Sequence, residues 1–260
     1  MLIPKDIEGL NQRKYEHEYT AAQVSMDKSL KPQDYFRKLT EIKLGFVRTY
    51  GAGKKVLDIG CGSGDFLLES KDTVSSGYGI DYTNKAIEAA CSKRNSMSAS
   101  NLEFIKANVN QVPFKNRTFD LVFSFAALVY VPQLERALQE VARVLKPNGV
   151  AILEMGNWLS LNTLVCQAYP ELAQNCHVSM SGMKRAVSRA PLTIFAWRAF
   201  QILPFWGGKP AWLRPLLHPR WKVFFQKEFR GRMLDERVSN IFFLRPFAYR
   251  HFIFCQKEQD

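Results

Sequence analysis

The sequence predicts an α/β fold built on a doubly wound, mostly parallel sheet. Three observations lead there. From Lys55 onward, short apolar runs alternate with stretches of helical periodicity, the signature of βαβ units. The first run leads straight into the glycine-rich turn Gly60-Cys61-Gly62-Ser63-Gly64, which opens a helical stretch. The 260 residues, 47% hydrophobic and 23% charged, suffice for one sizeable core, and no internal repeat or low-complexity tract stands out.

Up to about Tyr50, Tyr15, Tyr19, Val24, Tyr35, Phe36, Leu39, Ile42 and Phe46 recur at roughly helical spacing, predicting one or two helices ahead of the core. Val56 to Ile59 is the first strand, and the glycine turn opens a helix through Leu67 and Leu68. Tyr78 to Asp81 is the second strand, followed by a helix to about Arg94 with Asn84 as its N-cap. Leu102 to Lys106 and Phe119 to Ser124 are the third and fourth strands. Leu134, Leu138, Val141 and Leu145 give a helix one buried face, which Lys146-Pro147-Asn148-Gly149 ends. Val150 to Glu154 is the fifth strand. Beyond Gly156 the alternation fades. Met180 to Arg189 reads as a helix, Thr193 to Ile202 as a sixth strand, and Ala248 to Cys255 as a last, edge strand. Between these two strands, Pro204 to Arg245 is rich in Pro, Trp, Phe and Arg and reads as an inserted cap.

The net charge of +12 is unevenly placed. Lys184 to Lys257 holds fifteen Lys and Arg against Glu228, Asp235 and Glu236, a surplus equal to that of the whole chain. The five scattered cysteines contain no C-x-x-C pair, which points away from a zinc or dithiol site and toward a reducing, cytosolic compartment. Met1 to Tyr19 is polar and acid-bearing, unlike a signal peptide, and no apolar stretch reaches the roughly 18 residues of a membrane span.

Ligands of doubly wound sheets bind beyond the carboxyl ends of the strands, where the glycine turn lies. Gly60, Gly62 and Gly64 let backbone approach a ligand closely, and Asp81, 17 residues beyond Gly64, ends the second strand where it would accept from both hydroxyls of a ribose. Dinucleotide sites share both features. The turn Asp58-Ile59-Gly60-Cys61-Gly62-Ser63-Gly64, however, lacks their G-x-x-G continuation.

Five blocks, V-L-D-I-G-C-G-S-G-D-F, G-I-D-Y-T, N-V-N-Q-V-P-F, F-D-L-V-F-S-F and V-A-R-V-L-K-P-N-G-V, together resemble class I methyltransferases of the small-molecule branch, the type 11-like group, over residues 45 to 155. The resemblance implies a Rossmann-like sheet of seven strands in order 3-2-1-4-5-7-6 and S-adenosyl-L-methionine as cofactor. By the same resemblance, Gly60, Cys61, Gly62 and Gly64 would pass beneath the amino-acid end of the cofactor, and Asp58 would hold its amino group. Asp81 would bind the ribose and Tyr82 pack on the adenine. Asn108, where the family commonly has Asp, and the Val109 N–H would meet the adenine edge. Ser124 and Phe125 would border the methionine portion. Each position also has a structural alternative: packing for Cys61, Tyr82 and Phe125, and an Asx turn for Asn108.

Transfer from a sulfonium needs an aligned nucleophile and exclusion of water, and a base helps a hydroxyl or protonated amine. The candidates are Tyr130, Glu154 at the end of the fifth strand, and His177; no metal site is expected. Ser124-Phe125-Ala126-Ala127 stands where amino-methylating enzymes of bases carry N-P-P-Y, and no cysteine sits there to attack a pyrimidine, so nucleic acid is disfavoured as substrate. Residues 195 to 254 interleave Trp197, Trp206, Trp212 and Trp221 with basic residues. Three readings compete: a surface that stacks and neutralises nucleic acid, a peripheral contact with an anionic membrane or lipid-linked acceptor, and a solvated face over an aromatic core; of the first two, the apolar runs favour the membrane.

The chain is thus divided into an N-terminal helical lid (1–50), a cofactor-binding core (51–156) and a substrate cap with the C-terminal sheet edge (157–260), in one folding unit. The expected activity is methyl transfer to a small or lipid-linked acceptor, on oxygen. The alternatives are a non-catalytic cofactor-binding scaffold and a nicotinamide-dependent oxidoreductase.

Overall fold

The computed structural model describes residues 9–14, 16, 34–169, 176–205 and 210–259. Residues 9–14 are helical. The elements that follow are α1 (Tyr35–Gly51), β1 (Lys55–Ile59), α2 (Asp65–Leu68), β2 (Ser76–Asp81), α3 (Asn84–Ser96), β3 (Leu102–Lys106), β4 (Phe119–Ser124), α4 (Leu134–Val144), β5 (Leu145–Gly156), α5 (Leu161–Gln167), α6 (Met180–Ser188) and β6 (Leu192–Phe200). The cap supplies α7 (Arg214–Leu217), α8 (Pro219–Phe225), the short hairpin β7 (Glu228–Phe229) and β8 (Arg232–Met233), and α9 (Leu234–Ser239), before β9 (Arg250–Lys257).

The main sheet has seven strands in the order β3-β2-β1-β4-β5-β9-β6. Because β7 and β8 pair only with each other, β9 is the sheet's seventh strand, and the order is the expected 3-2-1-4-5-7-6. β1 to β5 run parallel, and β9 runs antiparallel to both neighbours.

Successive residues of a strand face opposite sides, so a sheet covered on both faces needs unbroken apolar strands. Val56, Leu121, Phe123, Ile152, Phe252 and Phe254 meet Leu39, Phe46 and Val47 of α1 on one face. Leu57, Val122, Leu153, Ile253 and Cys255 meet Leu138 and Val141 of α4 and Met183 and Val187 of α6 on the other.

Three local expectations are corrected. The stretch ending in Cys255 is not an edge strand: β9 lies between β5 and β6, its residues His251 to Cys255 are all buried, and β6 is the edge. Asn84 is the first residue of α3 rather than its cap. Thr83 takes the cap position without a side-chain bond, and the Glu16 carboxylate accepts from the Asn84 and Lys85 N–H groups instead. The helix predicted through Leu145 ends at Val144, where β5 begins. Tyr15, Tyr19, Val24 and Trp206 lie outside the described residues.

His251 is fully buried on β9. Its Nδ1 accepts from the Trp197 indole at 2.7 Å, which leaves Nε2 to donate to the Ala248 carbonyl at 3.1 Å. Burial pushes its pKa down to about 4, so it folds neutral. With the folded pKa below the unfolded value near 6.5, the unfolded chain takes up a proton first as pH falls. The histidine's contribution is therefore complete above that pH and is lost down to about 4. The urea-unfolding advantage of wild type over His251→Phe should accordingly shrink by about 3 kcal/mol between pH 7 and 4. A constant difference would show that the ring is not held neutral.

Candidate functional site

The carboxyl ends of β1 to β4 enclose a cavity of about 290 Å³. Its walls include Gly60 and Gly62 after β1, Asp81, Tyr82 and Thr83 after β2, Asn108, Val109 and Asn110 after β3, and Phe125, Leu128 and Tyr130 after β4. Asn11, from the helical segment 9–14, closes one side, and the neighbouring Gln12 donates to the Tyr82 carbonyl.

The turn after β1 is shaped by close approach. The Gly60 and Cys61 N–H groups both donate to the Ile80 carbonyl, at 2.8 and 3.0 Å, which draws the turn across β2. Gly60 has φ +73°, and a Cβ there would lie 2.2 Å from the Ala127 Cβ, so only glycine fits. At Gly64, with φ +78°, a Cβ would strike the Phe104 ring at 2.6 Å. On the opposite wall Ala126 holds φ +59°, an unfavourable conformation for a residue with a Cβ, directly after Phe125.

Asp81 braces the turn. One carboxylate oxygen accepts from the Gly62 N–H at 3.0 Å and the other from the Thr83 N–H at 2.9 Å. A carboxylate offers about four lone-pair sites, so acceptor capacity toward the cavity remains. Burial raises its pKa, against the pull of these two bonds.

Asp58 is buried within β1, and its Oδ2 has no hydrogen-bond partner among the described residues. Burial, then the neighbouring Asp81 and Asp65, push its pKa well up. A buried carboxylate oxygen without a donor is costly, and a cationic ligand group would relieve it.

The remaining candidates fall in different places. Tyr82, Val109, Phe125 and Tyr130 line the cavity. Asn108 lines it too, but its side-chain oxygen accepts from the Asn110 N–H at 2.8 Å in an Asx turn. Cys61, Gly64 and Ser124 stand behind the wall, where the Ser124 hydroxyl donates to the Ile59 carbonyl at 2.8 Å and stitches β4 to β1.

Glu154 is not placed to act as a base. It is buried on β5 and ion-paired with Lys43 of α1 at 2.8 Å and with Arg250 of β9. Burial pushes its pKa up, but the two cations outweigh burial and hold it below the ordinary value. His177 also lies outside the cavity wall. Its Nδ1 meets the Thr163 hydroxyl at 2.8 Å and its Nε2 the Tyr249 hydroxyl at 3.2 Å, while burial and then Arg250 lower its pKa to about 4. A ring that weakly basic, with both nitrogens engaged, orients neighbours better than it removes protons.

Lys43, Tyr249, Arg250 and Asn11 were not among the candidates. The ammonium of Lys43 lies 5.5 Å from the Phe125 ring centre and 5.6 Å from that of Phe252. Its signal was present: a lysine on the α1 stripe formed by Leu39, Phe46 and Val47, at helical spacing among apolar residues.

Residues 51–200 match the family model described as a methyltransferase domain, and the chain belongs to that family. It is thereby a class I methyltransferase, a group whose cofactor is S-adenosyl-L-methionine. The chain is 29% identical over 157 residues to the demethylmenaquinone methyltransferase of Lactococcus lactis, spanning 57% of this chain and 61% of that one. It is 40% identical over 100 residues to a sterol 24-C-methyltransferase of Gibberella zeae, 38% of this chain and 26% of that one. Both matches thus cover less than two thirds of the relative's length. The fold superposes on geranyl diphosphate methyltransferase in complex with S-adenosylmethionine with a TM-score of 0.60 at 16% identity, covering 85% of this chain and 86% of that one. It superposes equally on a 4+2 cyclase, with a TM-score of 0.62 at 13% identity over 96% and 93% of the two chains. Fold alone therefore does not fix the chemistry.

Removing Lys43 leaves Glu154 buried with one cation where it had two. Lys43→Ala should lower stability by about 3 kcal/mol, read as a lower urea midpoint at unchanged slope. A loss below about 1 kcal/mol would mean that water reaches the cluster.

Proposed function

We propose that the protein transfers the methyl group of S-adenosyl-L-methionine to a small or lipid-linked acceptor. The observation that carries this reading is the cradle formed by the Gly60–Gly62 turn and the bracing Asp81 on the cavity wall, with the donor-free Asp58 oxygen buried behind them. An α-ammonium suits Asp58 as the cation that its buried carboxylate lacks. The ribose hydroxyls suit the remaining acceptor capacity of Asp81. Tyr82 would pack on the adenine, with Asn108 and the Val109 N–H at its edge. Cys61, Gly64 and Ser124 would act from behind, by shaping the turn and fixing β4 against β1.

The bound cofactor supplies an electrophilic methyl group on a sulfonium. The chain's part is to align an acceptor and exclude water. Phe125 and Tyr130 stand on the wall nearest the 157–250 region and would confine the acceptor. Of the three expected polar groups, Tyr130 alone lines the cavity and would orient the acceptor's polar group. His177 would serve as a positioning residue through Tyr249, and Glu154 as a structural carboxylate.

The quinone and sterol in the relatives' names support an apolar acceptor. The sterol relatives' names specify transfer to carbon, so transfer to oxygen, which the family resemblance favours, stands against transfer to carbon as the outcome a product analysis decides. Peripheral contact with an anionic membrane through residues 195–254 belongs to the same reading. So does a cytosolic location, which the five free cysteines suit. No described helix is long and apolar enough to cross a membrane. Division into an N-terminal lid, a cofactor core and a substrate cap is consistent with Asn11 on the cavity wall and with the cap elements that follow β6.

Calorimetric titration with S-adenosylhomocysteine tests the reading. Wild type should bind on the order of micromolar, and Asp81→Ala should weaken binding at least about tenfold by removing the ribose acceptor and the brace on Gly62. NADH should not bind. Binding of NADH in place of S-adenosylhomocysteine would favour the oxidoreductase, and cofactor binding without turnover on any quinone, sterol or phenolic acceptor would favour a scaffold.

A further inference from the structure

At the carboxyl rim of the sheet the chain exposes six large apolar side chains: Trp158, Leu159, Trp212, Phe242, Phe243 and Phe247. Phe242 is 92% exposed and Trp212 and Phe243 are each 68% exposed, far beyond the scatter of single apolar residues on an ordinary surface. They come from three segments that the fold draws together. Trp158 and Leu159 follow the carboxyl end of β5, and the Asn157 amide donates to the Pro246 and Ala248 carbonyls at 2.7 and 2.9 Å, which fixes the 241–247 loop beside them. Trp212 belongs to the turn whose Leu213 packs, with Leu217 of α7, on Leu161 and Val165 of α5, the helix that begins just after Leu159. The same rim reaches the cavity. The Cys176 N–H donates to the Val129 carbonyl beside Tyr130, and Val178 bridges to Asn157.

Charge selects what covers these side chains. The 184–257 region itself holds fifteen cations and three acids, and Arg189, Lys222 and Arg250 of it pair with Glu135, Asp34 and Glu154 from outside it. Asp235 and Glu236 are buried, on Tyr35 and Arg198 respectively, which leaves Glu228 as the exposed one, itself paired with Lys38. Arg214 and Arg220 are exposed next to Trp212 and Trp221, so a basic fringe flanks the aromatic residues. Aromatic side chains that enter the boundary between headgroups and acyl chains, flanked by cations that meet anionic headgroups, constitute an interfacial anchor.

We propose that this rim docks on an anionic bilayer and turns the mouth of the cofactor cavity toward it, so that a lipid acceptor enters from the membrane without crossing water. The proposal deepens the lipid-acceptor reading and rests on it for purpose, while the docking itself rests on the exposed residues.

The test is flotation of the full chain with vesicles of phosphatidylcholine alone, or with about a third phosphatidylserine, at about 0.1 M and 1 M salt. Wild type should float with the anionic vesicles at low salt and at least about tenfold less with neutral vesicles or at high salt. Phe242→Ser with Phe243→Ser should lose at least about tenfold in partitioning, and Arg214→Glu with Arg220→Glu should lose the preference for anionic lipid. Both variants should titrate S-adenosylhomocysteine as wild type does, which reports an intact fold. Absence of wild-type flotation, or flotation of both variants equal to wild type, overturns the proposal. So does a concentration-dependent dimer in ultracentrifugation that Phe242→Ser with Phe243→Ser abolishes, without vesicle binding, because the rim would then belong to a second copy. Loss of cofactor binding by wild type with flotation intact would sink the methyltransferase reading and leave the docking face standing.

Discussion

A carboxylate cannot stay charged inside a protein without compensation, and much of this chain is arranged around one that does. Glu154 sits in the middle of the sheet's buried end, and its partners come from opposite ends of the sequence: Lys43 from α1 and Arg250 from β9. Arg250 passes the connection on to the Gln201 side chain at 2.7 Å. The Gln201 backbone N–H donates to Asp235, which also accepts from the Tyr35 hydroxyl at 2.6 Å. One continuous polar path therefore joins the helix ahead of the core, the sheet, the edge strand and the cap. Such a network is specific because each member would be costly alone. It also reaches the cavity wall, since the Lys43 ammonium lies near the Phe125 ring.

This network explains what the sequence disclosed and what it withheld. The glycine-turn side of the cavity was legible because it is local: strand, glycine turn, helix and the acid ending the next strand lie within Asp58 to Asp81, and the glycines are demanded by backbone geometry close in sequence. The partners of Glu154 were hidden for the complementary reason. An acid at the end of a strand looks like a functional base until a lysine more than a hundred positions earlier is known to lie against it. Lys43 itself was readable as an anomaly on an apolar helix stripe, but its partner was not.

The placement of β9 shows a different limit. Its residues His251 to Cys255 form an unbroken buried run, the pattern of an interior strand, whereas an edge strand would carry polar residues on one face. That signal was in the sequence, and position at the end of the chain obscured it. The buried His251 completes the picture, because a ring held between Trp197 and Ala248 needs neighbours on both sides. In Asn108 the ambiguity between ligand contact and Asx turn is real physics: one side-chain oxygen has more than one lone pair, and the turn engages only part of its capacity.

The two halves of the site thus differ in how they are specified. The cofactor side depends on backbone approach, which tolerates few residues and recurs across relatives of diverse chemistry. The rest of the cavity wall is assembled from Asn11, ahead of the core, and Phe125 to Pro132, after β4, segments that share no local pattern. The curated relatives align over 98 to 157 residues, while the fold superposes over most of the chain. The unneutralised cations follow the same division. By formal count the surplus lies in the 184–257 region, away from the glycine turn, although Arg189, Arg198, Lys222 and Arg250 there are paired with acids. A surplus of that kind is most easily maintained where an opposite charge is met outside the molecule.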